Sequence, residues 1–556
     1  MSSATSYPRN VFSLGGNFPM RWFFAISAIT LIIILPLLVV LQFNLYARTD
    51  TWQHLIDYVL LEYVKNSIIL AVGVAIGTFI IGVPAAWLCA LYSFPGKRIL
   101  ELLLLLPLAI PAYIIAYTYT GLLDYSGPIQ TYLRNLFGWG YGDYWFPEIR
   151  SLGGAIAMFS LVLYPYVFLL TRSTLITQSN NVIDAARSLG ASSFERLFTV
   201  VIPLARPAIA AGITLALMET LADYGTVQYF GIDTFTAGIF RTWFGFGEPA
   251  TAAQLSSILM LTVFALFLLE QHQRKRIRYH NPSNAVKNNF PTPLKGKNAF
   301  FAVVACVLPA LFGFIIPTLQ LTDWALKTAS TMLNTEFFSL AFNSFILAAC
   351  AAAATVVIAT ILAYGKRASN NYLLHGLINL CAMGYAVPGT IIAVGTLIIF
   401  GSLDNWLINF LNVQFSIDSQ LIFTGTIFAL VFAHTVRFLS LSLQTVSSSL
   451  TKINHSIDEA SRLLGNNLVT TLRNIHLPLI SSGLLTAALL VFVEVMKELP
   501  ATLIMRPFNF NTLAVRTYEL ASDERLADAS TAALAIVVTG IIPVILLNIS
   551  IKANAR

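Results

Sequence analysis

Apolar runs of about twenty residues, enough to cross the roughly 30 Å hydrocarbon layer of a bilayer, recur twelve times along the chain. They lie at about 23–45, 68–92, 99–122, 153–170, 207–230, 252–270, 299–322, 342–365, 373–400, 421–440, 480–504 and 530–551. Such runs constrain the fold class, because lipid offers no partner for backbone N–H and C=O groups and each spanning helix satisfies its own. The expectation is an all-α polytopic membrane protein with about twelve transmembrane helices. Composition agrees: at 57% hydrophobic and 11% charged, 556 residues carry too little polar surface to cover a soluble globule.

The first run is too long for the apolar core of a secretory signal, and the bulky Leu41-Gln42-Phe43-Asn44-Leu45 offers no small-residue cleavage pattern. It reads as an uncleaved span with Arg9 and Arg21 before it, which places the N-terminus in the cytoplasm. An even number of spans returns the C-terminus to the same side. That topology puts about 23 of the 33 Lys and Arg residues on the cytoplasmic face, the asymmetry that the positive-inside rule requires. The net charge of +7 is thereby an orientation signal. Basic patches interleaved with stacking aromatics are absent from the loops, which argues against a nucleic-acid partner. Cys89, Cys306, Cys350 and Cys381 all fall in apolar runs without C-x-x-C spacing and read as small buried hydrophobes.

The polar stretches repeat. Asp184-Ala185-Ala186-Arg187-Ser188-Leu189-Gly190, running on to Ile202-Pro203, is matched 275 residues later by Glu459-Ala460-Ser461-Arg462-Leu463-Leu464-Gly465, running on to Leu477-Pro478. Glu219 with Glu494 and Arg241 with Arg516 keep the same offset, while Asn66-Ser67 with Asn343-Ser344 and Pro111 with Pro388 keep one of 277. A two-residue deletion between Pro388 and Glu459 accounts for the change. The chain therefore divides into a first half, 1–270, a basic cytoplasmic linker, 271–298, and a second half, 299–556, with six spans in each half. One pathway between the halves is the economical architecture.

Physically, each repeated element (about 181–205 and 456–480) reads as two short helices around a glycine corner. Ser456-Ile457-Asp458-Glu459 has capping-box spacing, with Asn181-Val182-Ile183-Asp184 a weaker version, and Ser192 to Glu195 forms another box. Gly190 and Gly465 fall where a helix ends in the left-handed conformation. Pro203 and Pro478 stand where a helix begins and a missing amide hydrogen is harmless. The acids, paired with Arg187 or Arg462 at i+3, could serve only as caps and surface pairs. Folding alone gives no reason for the whole corner to recur once in each half, so the corners are read as docking sites.

At these residues the chain resembles the membrane component of binding-protein-dependent ABC importers, whose motif is Glu-Ala-Ala, three residues, Gly, nine residues, Ile-x-Leu-Pro. Glu459, Ala460, Gly465, Ile475, Leu477 and Pro478 match it in the second half, and Asp184, Ala185, Ala186, Gly190 and Pro203 in the first. Asp184, Val200, Ile202 and Ser461 are mild departures. The resemblance covers nearly the full length. It implies a fused pair of permease domains in which each corner, including Arg187 and Arg462, couples to an ATPase subunit. A narrower resemblance, to fused ferric-iron permeases, rests on Ala222 to Gly231, Arg241 to Phe244, Met496 to Thr502, Arg506 to Phe510 and Asp523 to Arg525. Fused thiamine permeases share the architecture.

No G-x-x-x-x-G-K-[ST] occurs, so the chain has no P-loop and is expected to bind no cofactor itself. ATP and magnesium belong to a separate ATPase, expected in two copies. No outer loop exceeds about residues 123–152, which implies a separate substrate-binding protein; the resemblance to ferric-iron permeases implies that it is a periplasmic ferric-iron-binding protein. In or at the ends of spans five and eleven, Glu219, Asp223, Glu494, Lys497 and Glu498 are expensive in hydrocarbon, and Tyr224 neighbours the first pair as a further pathway candidate. Spaced at i and i+4, Glu219 and Asp223, and likewise Glu494 and Glu498, are expected to share a helical face toward the pathway. Carboxylates and phenolates suit a hard cation such as Fe³⁺, and no firm metal site follows from them. The structural alternative has Lys497 neutralising Glu494 while the group holds helices together. The seven histidines show neither H-x-x-H nor H-E-x-x-H spacing, which argues against a membrane metalloenzyme and favours interfacial positions. An ion-driven secondary carrier is the remaining competitor, but it has no ATPase for a corner to dock.

Overall fold

The computed structural model describes residues 19–46, 49–140, 142–177, 188, 190, 192–279, 292–416 and 420–554. Among these, ten helices are long and apolar enough to cross a membrane, and two sharply bent pairs raise the number to twelve. The principal helices are α1 (Met20–Gln42), α2 (Leu60–Leu91), α3 (Lys97–Leu103), α4 (Ala112–Leu123), α5 (Pro128–Phe137), α6 (Leu152–Thr177), α7 (Ile202–Ala222), α8 (Gly225–Tyr229) and α9 (Pro249–Tyr279). They continue with α10 (Gly296–Ala310), α11 (Ile316–Met332), α12 (Thr335–Ala368), α13 (Tyr372–Cys381), α14 (Gly389–Phe415) and α15 (Ile427–Thr451). The last are α16 (His455–Leu463), α17 (Ser481–Met496), α18 (Pro500–Met505) and α19 (Leu526–Asn554).

Four expected spans differ from continuous rods, and each difference has a local cause. Pro111 caps the start of α4 and Pro388 the start of α14, because proline lacks the amide hydrogen and disfavours helix in the residue before it. Ile110 (ψ 121°) and Val387 (ψ 129°) are accordingly extended. At the first of these breaks the chain turns through 96°. The fifth and eleventh spans stop short of the expected residues 230 and 504, at Ala222 and Met496, and are followed by the short helices α8 and α18.

The chain folds as two compact units that cut across its sequence halves. One gathers residues 1–45, 345–496 and 504–509; the other gathers 46–344, 497–503 and 510–556. In the first unit α1 packs on second-half helices: Trp22 meets Tyr364 edge-on at 6.1 Å, and the Cys381 thiol lies 3.6 Å from the Thr30 carbonyl. In the second unit α10 and α11 pack among first-half helices, where the Tyr119 hydroxyl donates to the Phe312 carbonyl at 2.6 Å. Within that unit α2 and α6 approach closely at Gly73 and Gly77. A Cβ there would fall 2.5 Å from Ile156 and 2.1 Å from Ser160, the close small-residue packing that replaces the hydrophobic effect between helices in lipid.

The repeat is written into tertiary contacts as well. Asn66 donates its side-chain amide to the Asp233 carbonyl at 3.0 Å, and Asn343, its counterpart, donates to the Asn511 carbonyl at 3.1 Å. At the linker, α9 continues to Tyr279, and Thr292–Pro293 forms a short parallel pairing with Tyr92–Ser93.

Candidate functional site

The second corner is described in full. Asn454 starts α16, its side chain accepting from the Ser456 amide at 3.2 Å. The expected Ser456–Glu459 capping box is therefore displaced: Asn454 caps the helix and Ser456 lies inside it. The helix ends in a Schellman turn, with the Gly465 amide donating to the Arg462 carbonyl (3.0 Å) and the Asn466 amide to the Ser461 carbonyl (3.1 Å). Gly465 has φ +80° and open space around its missing Cβ, so glycine is required there for conformation and not for packing. Asn467 then caps Leu468–Thr471 by accepting from the Thr470 amide at 2.8 Å. A buried hydrogen bond between the Ser461 and Thr471 hydroxyls, 2.8 Å, ties the two arms of the corner together.

Glu459, Ala460, Arg462 and Gly465 face solvent. Beside them Leu463 and Leu464 are 89% and 81% exposed. Behind them α16 is held by a buried polar network. Arg367, at the end of α12, donates to Asp458 through Nε (3.0 Å) and Nη2 (2.7 Å). The same guanidinium reaches the carbonyls of Leu450 (2.6 Å) and Ile453 (2.9 Å), where α15 ends. His476, fully buried, closes the network with Nε2 at 2.6 Å from the second Asp458 oxygen. A carboxylate only accepts, so Nε2 is the donor. The His476 ring also packs on Tyr364 at 5.2 Å. Burial pushes the Asp458 carboxyl up, but the bonds from Arg367 and His476 outweigh it and hold the group below the usual carboxylate range.

The described part of the first corner shares backbone features with the second and has different side chains around them. Asp184, Ala185, Ala186 and Arg187 lie outside the described residues. Gly190 has φ +84° and, like Gly465, open space at its missing Cβ. The expected capping box at Ser192 and Glu195 is formed: the Ser192 amide donates to the Glu195 carboxylate (2.7 Å) and the Glu195 amide to the Ser192 hydroxyl (3.2 Å). In both halves one π-helical turn, Leu197–Val201 or Leu472–His476, precedes a proline at the second position of the next helix, Pro203 or Pro478. Val201, the counterpart of His476, sits in an apolar cluster with Val83, Val167, Leu175, Leu197, Ala205 and Ile209. Trp87 and Ala90, the counterparts of Tyr364 and Arg367 at the offset of 277, pack against that cluster.

The intramembrane candidates divide. Asp223 does not share a helical face with Glu219, because α7 ends at Ala222 and Asp223 is extended (ψ 137°). Its carboxylate caps α8, accepting from the Thr226 amide at 2.8 Å. Glu498, 275 residues on, does the same for α18, accepting from the amides of Ala501 (2.8 Å) and Thr502 (3.0 Å) and from the Thr502 hydroxyl (2.8 Å). It likewise leaves the face of Glu494, since α17 ends at Met496 and Lys497 begins the break. Glu219 and Glu494 are half-buried in α7 and α17. Tyr224 is buried, stacked on Phe240 at 4.3 Å and tilted against Tyr518 at 6.1 Å. Capping gives these two carboxylates hydrogen-bond partners within the protein.

Sequence reasoning missed the Arg367–Asp458–His476 network. Its signal was available: Asp458 and His476 both replace aliphatic residues, Ile183 and Val201, at the repeat offset of 275.

Residues 79–279 match the family described as binding-protein-dependent transport system inner membrane component. The Fe(3+)-transport system permease protein FbpB 2 of Haemophilus influenzae is 28% identical over 495 residues, 88% of this chain and 89% of the relative. The ferric transport system permease protein FbpB of Actinobacillus pleuropneumoniae is 23% identical, over 80% of this chain and 64% of its own. The molybdenum transport system permease protein ModB of Haemophilus influenzae is 30% identical over 169 residues, 30% of this chain and 71% of its own.

Proposed function

This chain belongs to the family of binding-protein-dependent transport system inner membrane components, a multi-pass membrane subunit of an ABC importer, and on that premise we propose that it is the fused permease of a ferric-iron importer. The observation that carries the coupling part is the second corner, where motif residues Glu459, Ala460 and Gly465 stand in solvent beside Leu463 and Leu464, exposed at 89% and 81%. Two large aliphatic side chains left open on an otherwise polar turn suit a partner that covers them. That partner is an ATPase, one copy for each corner, and it supplies the ATP hydrolysis that this subunit does not perform.

In this reading both termini are cytoplasmic and a loaded periplasmic binding protein docks on the outer loops. Closure of the two ATPases drives the corners and switches the side from which the pathway is open. The left-handed glycines hold each corner at a fixed angle, so that a push on the exposed helix is passed to α7 or α17. Iron is supported by the near full-length relative named for Fe(3+) transport. A molybdate-type oxyanion is the second reading, favoured by the 30% identity to ModB over a shorter stretch. The test is uptake of radiolabelled ferric iron, molybdate and thiamine by a strain deleted for its own permeases and carrying this chain with its partner subunits. Iron uptake that depends on this chain supports the proposal; uptake of another substrate without iron overturns it.

A further inference from the structure

We infer that Arg367, Asp458 and His476 are positioning residues of the coupling step, fixing α16 to the ends of α12 and α15 so that the second corner moves with them as one body. This rests on the reading of the corner as the ATPase-coupling element. The network links four separate segments through one carboxylate and one guanidinium: the end of α12 (Arg367), the end of α15 (Leu450 and Ile453 carbonyls), the first turn of α16 (Asp458) and the π turn before Pro478 (His476). Every distance in it lies between 2.6 and 3.0 Å. Directional bonds of this kind, in a buried setting, specify one geometry.

The first corner carries no charge at the equivalent sequence positions. There the equivalent positions are Ala90, Ile183 and Val201, and Ala90 and Val201 belong to a greasy contact that fixes distance without fixing direction. The first half has its own buried ion pair, Glu101 with Arg172 at 2.9 Å, but it joins α3 to α6 and includes no residue of the corner. Among the described residues, the polar network occurs at the second corner. A buried ion pair is weak evidence for stability, because apolar side chains of suitable shape commonly serve as well. What it adds is orientation, and orientation is what a lever requires.

The first half supplies the test. Transplanting its residues by Arg367→Ala, Asp458→Ile and His476→Val together leaves no unpaired buried charge. Alongside it go Arg367→Lys, which keeps the charge but loses the fork that makes four bonds, and Gly465→Val, which breaks the corner itself. Each variant is assembled with the ATPase and binding protein in lipid vesicles, and substrate imported per ATP hydrolysed is measured at equal amounts of folded complex. The inference expects the triple variant to assemble and hydrolyse ATP but to import about five-fold less per ATP or worse, the lower end of ordinary coupling energies. It expects Arg367→Lys to be defective in the same ratio. Wild-type stoichiometry in the triple variant, or in Arg367→Lys, overturns it. If Gly465→Val also imports normally, the coupling reading fails with it. A defective Gly465→Val beside an unaffected triple variant removes the network's role alone.

Discussion

Where both are described, the two corners share backbone features and differ in the side chains that surround them. Each has a left-handed glycine, a capped short helix, one π-helical turn and a proline at the second position of the next helix. The described part of the first packs on aliphatic side chains and Trp87; the second hangs from an arginine, an aspartate and a histidine. The difference teaches that duplication preserved the features acting through dihedral angles, which glycine and proline adopt at the least cost, and let the supporting side chains diverge. A corner's angle depends on its glycine in both halves. Charge stands at these three supporting positions in only one.

The largest effect expected from breaking this comparison is symmetric. Val at either Gly190 or Gly465 adds a β-branched side chain at φ above +80° or at +80°, where L-residues are strained by roughly 1–2 kcal/mol. Uptake falls about ten-fold or more while the protein stays in the membrane, as followed by transport and by immunoblotting of membranes; normal uptake in both variants contradicts the shared role. The next effect is one-sided. Asp458→Ile alone strands the buried Arg367 guanidinium and costs about 3–5 kcal/mol of stability, read as loss of monodisperse protein on heating in detergent. The reciprocal Val201→His places a polar ring among aliphatic residues and costs about 1–3 kcal/mol by the same assay. Equal tolerance of both changes would show that the corners are seated alike after all.

Smaller effects sharpen the roles of the intramembrane acids and of pH. Asp223→Asn and Glu498→Gln keep shape and weaken a cap, with a cost near 1 kcal/mol and uptake largely retained. A collapse of uptake in a stable variant would return these carboxylates to the pathway. For Asp458 the folded carboxyl is held below its ordinary value. Its contribution to stability is therefore complete above about pH 3.9 and is lost only as pH falls through the lowered value. Hydrogen exchange of α16 amides, corrected for intrinsic rates, should show protection unchanged from neutrality down to the carboxylate range. Loss of protection near pH 6 would contradict the assignment. At the first corner the Glu195 carboxyl is also held low, by hydrogen bonds from Ser192, but it is solvent-exposed and its titration should leave the corner nearly unchanged.

Much of the fold was legible because lipid enforces it. Every apolar run corresponds to a helix or bent helix pair, and the repeat offsets of 275 and 277 located the glycines, the prolines and Asn66 with Asn343. Pro111 and Pro388 were visible as repeat partners, yet hydropathy alone cannot distinguish a straight span from one broken at proline. Ser456 was read as a cap from its spacing to Glu459, while Asn454, an equally strong capping residue, took that place in the fold. The exchange of α1 into the unit built largely from the second half was not legible, since no local pattern records which half a helix packs against. His476 was read as an interfacial histidine because a single residue says nothing of its partner. Only its pairing with Asp458, against Ile183 and Val201 in the other half, carries that information.

The account turns on a partner covering the exposed leucines of the second corner. Leu464→Cys, treated with a membrane-impermeant maleimide, measures this directly, since Cys89, Cys306 and Cys381 are buried and Cys350 lies on a membrane-spanning helix. The account predicts rapid labelling in the isolated permease and strong protection once the ATPase is bound. Equal labelling in both states would contradict it.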